Sequence, residues 1–358
     1  MLKILCTAEF DKTYLDILSE FAEVRQRGFS VNQDFREMLT KEELINELGD
    51  ADIFIVGYDK VTDEIIRSAP DLKLILSVRD GPEENIDVKT CKELGIPVLF
   101  SAGRCARVVP EHTMLLILAS ARPLIWANNA LYSGLWSKET QIREPERYFS
   151  FFKRIDESHE IYGKTLGIVG AGRNGVGLAQ RAQAFGMKII AFDPYADKNR
   201  MDSLGIELVD LMTLMSASDY VSMMARVTPE TTGMIGKKEF SAMKQDACFV
   251  NTGRAALVDN AALLEALQNG RIRAALDVYD TEPISRNSPL LKLDPSRVLL
   301  SPHFAGCSVE RIIFHSKAAT DNILHFLKGI ENSHMYDKEV IHTEEYTKRG
   351  GVLWNSMK

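Results

Sequence analysis

The sequence predicts an α/β fold built from two parallel-sheet domains of Rossmann-like or flavodoxin-like type. Short apolar runs alternate with amphipathic stretches, which is the rhythm of βαβ units. This rhythm stops after a long apolar helix and an irregular segment, and then restarts with a glycine-rich segment. A length of 358 residues is also what two ordinary domains require.

The first series of elements contains an amphipathic helix at 40–49 and ends in a long apolar helix from about 110 to 122. Its strands are predicted at 3–7, 53–57, 74–78 and 98–100. An irregular stretch rich in aromatic and charged residues is expected over 133–161. The second series has predicted strands at 165–170, 188–193, 208, 220–224, 247–252, 274–278 and 298–301, with a last helix over 308–328. These elements divide the chain into a domain of 1–103 plus 308–330, a domain of 104–307, and a surface arm or frayed end at 331–358.

Composition excludes several classes of protein. The chain has 43 basic and 50 acidic residues, a formal charge of −7, with 45% hydrophobic and 26% charged residues. These values exclude a disordered chain, a collagen-like chain and a small disulfide scaffold. The acidic balance argues against nucleic acid as a partner.

Cysteine spacing and apolar run length suggest where the protein is found. None of the five cysteines forms a CxxC pair, so neither a zinc ribbon nor a redox dithiol is suggested. No metal site is expected, and the sparse, odd count of cysteines fits a reducing compartment. The longest apolar run, 114–121, is far shorter than the about 20 residues that span a membrane. The N-terminus lacks the pattern of a secretory signal. We therefore expect a cytoplasmic protein without a membrane partner.

A GxGxxG segment follows the predicted strand at 165–170 and opens a helix. In such a context, Gly170 permits the tight turn, Gly172 lets the backbone approach a pyrophosphate, and Gly175 lets helix and strand pack closely. Asp193 ends the next strand, where a carboxylate binds ribose hydroxyls and repels a 2′-phosphate. The segment predicts a dinucleotide site that prefers NAD to NADP, although Arg200 could accept a phosphate; the alternative is a glycine-rich turn without a ligand.

Three later segments each place charged or titratable residues just after a predicted strand. Arg254 follows the strand at 247–252, Asp277 and Glu282 follow 274–278, and His303 follows 298–301. Ligands of open parallel sheets bind beyond the carboxyl ends of strands, so these side chains are expected to converge. Taken singly, each also has an ordinary explanation: a surface ion pair for Arg254, a turn cap for Glu282 and a loop position for His303.

Together these motifs resemble the D-isomer-specific 2-hydroxyacid dehydrogenase family. The glycine loop, N-T-x-R at 251–254, D-V-x-x-x-E-P at 277–283 and P-H-x-x-G at 302–306 occur in the order and spacing of that family. The resemblance covers roughly residues 50–330. It implies an interdomain active-site cleft, NAD as cofactor and interconversion of a small 2-oxo acid and a D-2-hydroxy acid.

The resemblance also implies roles for individual residues. His303 would be the general acid and base, Glu282 would hold its other ring nitrogen, and Arg254 would bind the substrate carboxylate. An imidazole titrates near neutral pH, as proton transfer requires. Asp277 would accept a hydrogen bond from the nicotinamide carboxamide. The other expected cofactor contacts are Arg173, Asn174, Thr113 and Thr252.

The substrate loop departs from the common pattern of the family. The segment 77–87 has one glycine where two are usual. Gly81, flanked by Asp80, is expected to bind the substrate carboxylate through its backbone, and Arg79 is expected to bind the substrate tail. Arg79 could equally pair with Asp80 or Asp87. The acidic Glu83 and Glu84 disfavour a phosphoglycerate.

Two alternatives of function and one of assembly stay open. An NAD(H)-sensing co-repressor on the same fold would need no catalytic histidine, and a related enzyme would act on a sugar acid or a phosphorylated acid. The tail of 28 residues after 330 is too short for a regulatory domain. The resemblance implies a homodimer through the aromatic segment 126–152, whose alternative role is that of an internal flap.

Overall fold

In the computed structural model, which describes residues 1–32, 34–156, 158–330 and 334–350, the chain forms two compact units. One unit contains residues 1–104 and 308–358, and the other contains residues 105–307. The chain therefore leaves the first unit once and returns to it once.

The first unit is built on a five-stranded parallel sheet of order β2-β1-β3-β4-β5. This is the flavodoxin-like order, in which the switch point lies between β1 and β3. The strands are β1 (Leu2–Cys6), β2 (Ala22–Gln26), β3 (Ile53–Val56), β4 (Leu74–Ser77) and β5 (Val98–Phe100). The helices between them are α1 (Lys12–Ser19), α2 (Phe29–Asn32), α3 (Lys41–Leu48), α4 (Asp63–Arg67) and α5 (Val88–Glu93), with 3₁₀ turns at Phe35–Glu37 and Pro82–Glu84.

The second unit is built on a seven-stranded parallel sheet of order β12-β11-β10-β9-β6-β7-β8. The order reverses between β6 and β9, as in a Rossmann fold with one added strand. The strands are β6 (Thr165–Val169), β7 (Lys188–Phe192), β8 (Glu207–Leu208), β9 (Tyr220–Met223), β10 (Cys248–Asn251), β11 (Arg273–Leu276) and β12 (Val298–Leu300).

The helices of the second unit begin with the long apolar helix predicted from sequence. They are α6 (Val108–Ala121), α7 (Leu124–Tyr132), α8 (Lys138–Arg143), α9 (Pro145–Ile155), α10 (Arg173–Ala184), α11 (Lys198–Ser203), α12 (Leu211–Ala217), α13 (Lys237–Ala242) and α14 (Asn260–Gln268). Two 3₁₀ turns lie at Ala255–Leu257 and Pro289–Lys292. Back in the first unit are α15 (Val309–Leu327), a 3₁₀ helix at Lys338–His342, and α16 (Glu344–Lys348).

Burial explains why most strands could be recognised from the sequence. β3, β4, β9 and β10 are buried along their whole length. Strands covered on both faces read as continuous apolar runs. The predicted fold class, two parallel-sheet α/β domains, is confirmed.

Strand β2 was not predicted. It pairs only with β1 at the edge of the first sheet, and Glu23, Arg25 and Gln26 are not buried. An edge strand can be polar on its open side, so it lacks the apolar run that marks the other strands.

The irregular stretch expected over 133–161 contains two helices, α8 and α9, and that expectation was wrong. Ser137 caps α8 by accepting the N–H of Thr140 at 3.1 Å. In α9 the rings of Tyr148 and Phe152 meet at 5.6 Å, a contact between residues four apart on a helix. Clustered aromatic side chains obscured this helical spacing in the sequence.

The segment 331–358, expected to be a surface arm or frayed end, packs onto the first unit where the structure describes it. Met335 forms an antiparallel bridge with Leu99 in β5, and Met335, Val340 and Tyr346 are buried in the core of the first unit. Residues 334–350 are therefore packed onto the unit, while 331–333 and 351–358 lie outside the described residues.

Two searches of the described ranges bear on membrane and metal binding. No single helix there is long and apolar enough to cross a bilayer, although α6 and α7 together pass the same length and composition test across a 67° bend. No group of three or more His, Cys, Asp or Glu side chains in those ranges is arranged to hold a metal ion.

Candidate active site

The glycine loop between β6 and α10 has little room for side chains at two of its three glycines. Gly170 has a φ of +99°, and a Cβ there would lie 2.5 Å from the backbone nitrogen of Ala225. A Cβ at Gly175 would lie 2.1 Å from the carbonyl oxygen of Gly170. The loop can therefore form only with glycine at these positions.

Gly172, the remaining glycine of the motif, faces open space. A Cβ at Gly172 would meet no atom within 4 Å, and Gly172 is the N-cap residue of α10. It has no side chain with which to cap the helix, so the first-turn N–H groups, including those of Arg173 and Asn174, remain for an anion. This arrangement fits the pyrophosphate of a dinucleotide.

Asp193 follows β7 and lies beside the glycine loop. Its Oδ2 accepts the N–H of Ala171 at 2.8 Å, and its Oδ1 accepts the N–H of Tyr195 at 2.9 Å. Each carboxylate oxygen keeps further acceptor capacity. The acid is thus fixed next to the loop with a negative charge that suits ribose hydroxyls better than a 2′-phosphate.

His303 and Glu282 are in direct contact. The Nδ1 atom of His303 lies 2.5 Å from Oε2 of Glu282, and both side chains are partly exposed. The other oxygen of Glu282, Oε1, accepts the N–H of Tyr279 at 2.9 Å. The carboxylate therefore fixes the orientation of the ring and leaves Nε2 as the nitrogen for proton exchange.

Asp277, just after β11, holds the turn that carries His303. The carboxylate is fully buried; its Oδ1 accepts the Ser301 hydroxyl at 2.6 Å and the Phe304 N–H at 3.1 Å. Its Oδ2 accepts the N–H of Ala305 at 2.9 Å. This positioning role was not foreseen from the sequence, which suggested only a contact with the cofactor.

His112 completes this buried network from α6. Its Nε2 lies 3.2 Å from the Ser301 hydroxyl and 3.7 Å from Oδ1 of Asp277. Burial lowers the pKa of His112, and the nearby charge of Asp277 acts in the opposite direction. The ring of His112 is therefore neutral. It packs edge-on against Phe304, with centroids 4.6 Å apart.

Arg254 and the two threonines lie at the same end of the sheet. The turn after β10 is closed by Asn251, whose Oδ1 accepts the Gly253 N–H and whose Nδ2 donates to the Arg254 carbonyl oxygen. This turn leaves the Arg254 side chain exposed. The hydroxyl groups of Thr113 and Thr252 are hydrogen-bonded at 2.8 Å and are buried.

Sequence reasoning missed two residues that shape this site, Tyr279 and Ser301. Tyr279 fixes Glu282 through its N–H, and its own hydroxyl donates to the carbonyl oxygen of Ser301 at 2.8 Å. Burial is the main cause that raises the pKa of Tyr279 to about 12, so the hydroxyl stays protonated. Their places within the motifs at 277–283 and before Pro302 were the available signals.

The predicted substrate loop lies in the first unit, after β4. The Arg79 guanidinium pairs with Glu84 at 2.5 Å rather than with Asp80 or Asp87. Asp80 instead accepts the N–H of Gly103. Gly81, with a φ of −121°, precedes the 3₁₀ turn at Pro82–Glu84.

A comparison with protein families accounts for the second unit. The model of the D-isomer specific 2-hydroxyacid dehydrogenase NAD-binding domain matches residues 114–305, more than half of the chain. The chain belongs to this family. The resemblance inferred from the motifs is confirmed, as is NAD as the cofactor.

Relatives within the D-isomer specific 2-hydroxyacid dehydrogenase family carry different substrate names. A D-3-phosphoglycerate dehydrogenase of Methanocaldococcus jannaschii is 39% identical over 87% of this chain and 54% of its own length. The chain thus spans about half the length of that relative. A glyoxylate reductase of Korarchaeum cryptofilum is 32% identical over 89% of this chain and 95% of its own length.

A solved family structure has a similar fold over nearly the full chain. The holo form of Rhodotorula graminis D-mandelate dehydrogenase is 25% identical, with a TM-score of 0.80 over 94% of this chain and 98% of that one. Family membership is therefore consistent across sequence and structure, while the substrates named for these relatives differ from one to the next.

Proposed function

We propose that this protein is an NAD-dependent oxidoreductase that interconverts a small 2-oxo acid and a D-2-hydroxy acid. The observation that carries the proposal is the 2.5 Å contact between His303 Nδ1 and Glu282. These residues follow β12 and β11, which belong to the same sheet as β6, the strand before the glycine loop. A histidine oriented by a carboxylate at the carboxyl end of a dinucleotide-binding sheet is suited to proton transfer coupled to hydride transfer.

NAD, when bound, supplies or accepts the hydride at C2 of the substrate. The residues that would hold it are those of the glycine loop with Arg173 and Asn174, the acid Asp193 and, near the reacting end, those predicted from sequence: Thr113, Thr252 and Asp277. In reduction, Nε2 of His303 donates a proton to the 2-oxo oxygen; in oxidation, the same nitrogen accepts the hydroxyl proton. Glu282 stabilises the charged ring that precedes or follows this transfer.

Arg254 would bind the substrate carboxylate and the oxygen at C2. A planar guanidinium can donate two parallel hydrogen bonds to a carboxylate, and its charge favours the electron density that develops on the reacting oxygen. Its side chain is exposed, and its Nη1 donates to the carbonyl oxygen of Gly253 at 2.9 Å.

The first unit would supply the rest of the substrate contacts. The backbone of Gly81, flanked by Asp80, is proposed to bind the carboxylate, and Arg79 is proposed to face the tail of the substrate. The glyoxylate reductase relative, which aligns along nearly its whole length, supports a small acid. The phosphoglycerate relative supports a second candidate, a reductase of a phosphorylated 2-oxo acid.

The test is NADH consumption on a panel of 2-oxo acids, with wild type and His303→Ala. The panel contains glyoxylate, pyruvate, hydroxypyruvate, 3-phosphohydroxypyruvate, 2-ketoisocaproate and sugar-derived 2-oxo acids. We expect turnover on at least one small acid, a loss of orders of magnitude in the variant, and NADH binding that persists in it. Unchanged turnover in His303→Ala would refute the acid assignment, and no turnover on any acid would favour an NAD(H)-sensing binding protein.

We also propose a homodimer formed through the aromatic segment 126–152. Apolar side chains are widely exposed there, including Tyr132 at 87% and Ile142 at 79%, whereas Trp126 and Trp136 stack on Phe151. Such a patch marks a protein interface more often than a free surface. Light scattering should give the mass of two chains for wild type and of one chain for the double variant Ile142→Glu with Tyr132→Glu.

We propose a cytoplasmic location as well. The five cysteines form no disulfide, which is typical of a reducing compartment, and cell fractionation would test the location.

A further inference from the structure

Glu84 lies against two residues of the first unit, Arg79 and Gly81, that are proposed to bind the substrate. Its Oε2 pairs with the Arg79 guanidinium at 2.5 Å. Its Oε1 lies 3.5 Å from the point that a Cβ on Gly81 would take. One carboxylate of the chain itself therefore lies against both Arg79 and Gly81.

Arg79 is held in place by more than this ion pair. Its guanidinium carbon lies 5.8 Å from the centroid of the Tyr58 ring, and that ring packs edge-on against Phe29 at 5.2 Å. The backbone N–H of Arg79 donates to the hydroxyl of Ser77 at 3.1 Å. The guanidinium is thus directed toward Glu84 by its surroundings, with the Arg79 side chain only 23% exposed.

This arrangement treats charged and neutral ligands differently. An anionic tail that binds Arg79 places a second negative charge beside the Glu84 carboxylate, which disfavours both charges. A hydroxyl group can instead donate a hydrogen bond to Glu84 while the ion pair stays intact. The ion pair of Arg79 and Glu84 therefore disfavours a phosphate group and provides a hydrogen-bond acceptor for an alcohol.

We propose that Glu84 is a specificity-determining residue that occupies Arg79 and selects 2-hydroxy acids with a neutral, hydroxylated tail over those with an anionic tail. This inference rests on the proposed function, because it assumes that the loop after β4 receives the substrate.

The experiment measures binding rather than turnover, so that it does not depend on catalysis. D-glycerate and 3-phospho-D-glycerate are titrated calorimetrically into the NADH complex, with which neither reduced ligand reacts. Wild type should bind D-glycerate more tightly. Glu84→Gln should tighten 3-phospho-D-glycerate by about tenfold, the size of one charge-assisted hydrogen bond, and should not tighten D-glycerate.

Two further variants separate the ion pair from a general loss of charge. Glu83→Gln removes the same charge from the neighbouring exposed residue and should change either affinity by less than about threefold. Arg79→Met combined with Glu84→Gln should lose the gain of Glu84→Gln alone. Equal effects of Glu83→Gln and Glu84→Gln, or tighter binding of the phosphorylated ligand by wild type, would overturn the inference. If wild type reduces no 2-oxo acid while the binding pattern holds, the proposed reaction fails and the role of Glu84 stands.

Discussion

Replacing Glu282 by glutamine changes one atom of the pair that orients His303. The carboxylate accepts from two donors, the Tyr279 N–H at 2.9 Å and His303 Nδ1 at 2.5 Å. A glutamine side chain has one oxygen and one NH₂ group in place of the two oxygens. Since the Tyr279 N–H can only donate, the amide oxygen stays with it and the NH₂ group turns toward Nδ1.

Two penalties follow for proton transfer at His303. The neutral ring must accept at Nδ1 and therefore carries its proton on Nε2, the wrong tautomer for taking a proton from the substrate. The charged ring loses its carboxylate, a charge-assisted bond worth about 1.5–3 kcal/mol, which corresponds to about 10- to 100-fold in rate. A comparable exchange of acid for amide in a serine protease triad costs about 10⁴-fold, so we expect a loss of about 100-fold or more here.

The assay is NADH oxidation with the best 2-oxo acid of the panel, together with NADH binding followed by fluorescence. Asp280→Asn is the matched control, because it makes the same acid-to-amide change two residues away at a carboxylate that caps only Thr281. Glu282→Gln should lose turnover and keep NADH binding, while the control keeps both. Turnover of Glu282→Gln within about threefold of wild type would show that the contact does not orient a catalytic base.

Three further predictions use other parts of the chain. Gly175→Ala should lower the free energy of unfolding by about 1–3 kcal/mol, since its Cβ would lie 2.1 Å from a carbonyl oxygen. Gly172→Ala, whose Cβ would meet no atom within 4 Å, should weaken NADH binding without changing the melting temperature. Asp193→Asn should raise the NADPH-to-NADH preference by about tenfold in kcat/KM, and the helix-capping Asp197→Asn should not. Burial lowers the pKa of His315 to about 4, helped by the charges of Arg104 and Arg311 and opposed by its bond to the Glu9 carbonyl oxygen. The unfolded chain binds that proton near pH 6.5, so the contribution of about 3 kcal/mol is complete above that pH and is lost as pH falls toward 4; urea unfolding of His315→Gln should show a weaker loss.

Buried strands made the fold predictable, and exposed or polar elements did not. β3 and β4 are apolar throughout because both faces are covered, so their sequence alone indicates a strand. β2 has only Ala22 buried and reads as polar surface. Helix α9 combines charge with clustered aromatic rings, and its Phe151 ring stacks on Trp126 and Trp136, which lie outside the helix. Local sequence contains no record of such partners.

The site followed the same division. Gly170, Gly175 and His303 could be singled out from the sequence because spacing along the chain reflects backbone requirements: a positive φ at Gly170, a close approach at Gly175 and a turn at a strand end at His303. The partner of Arg79 was not found, since Asp80, Glu84 and Asp87 are all within reach along the sequence. Only the 3₁₀ turn at Pro82–Glu84 decides among them, by returning Glu84 toward Arg79.

The backbone at His303 explains why a buried acid lies behind this exposed histidine. His303 has a φ of +51°, a left-handed conformation that costs about 1–2 kcal/mol for a residue with a Cβ. This bend directs the next two N–H groups, of Phe304 and Ala305, back to the carboxylate of Asp277. Two hydrogen bonds to a buried charge, each worth about 1.5–3 kcal/mol, together outweigh the cost of the bend, so Asp277 holds the conformation in place. The imidazole is therefore positioned twice, by Glu282 at its ring and by Asp277 at its backbone.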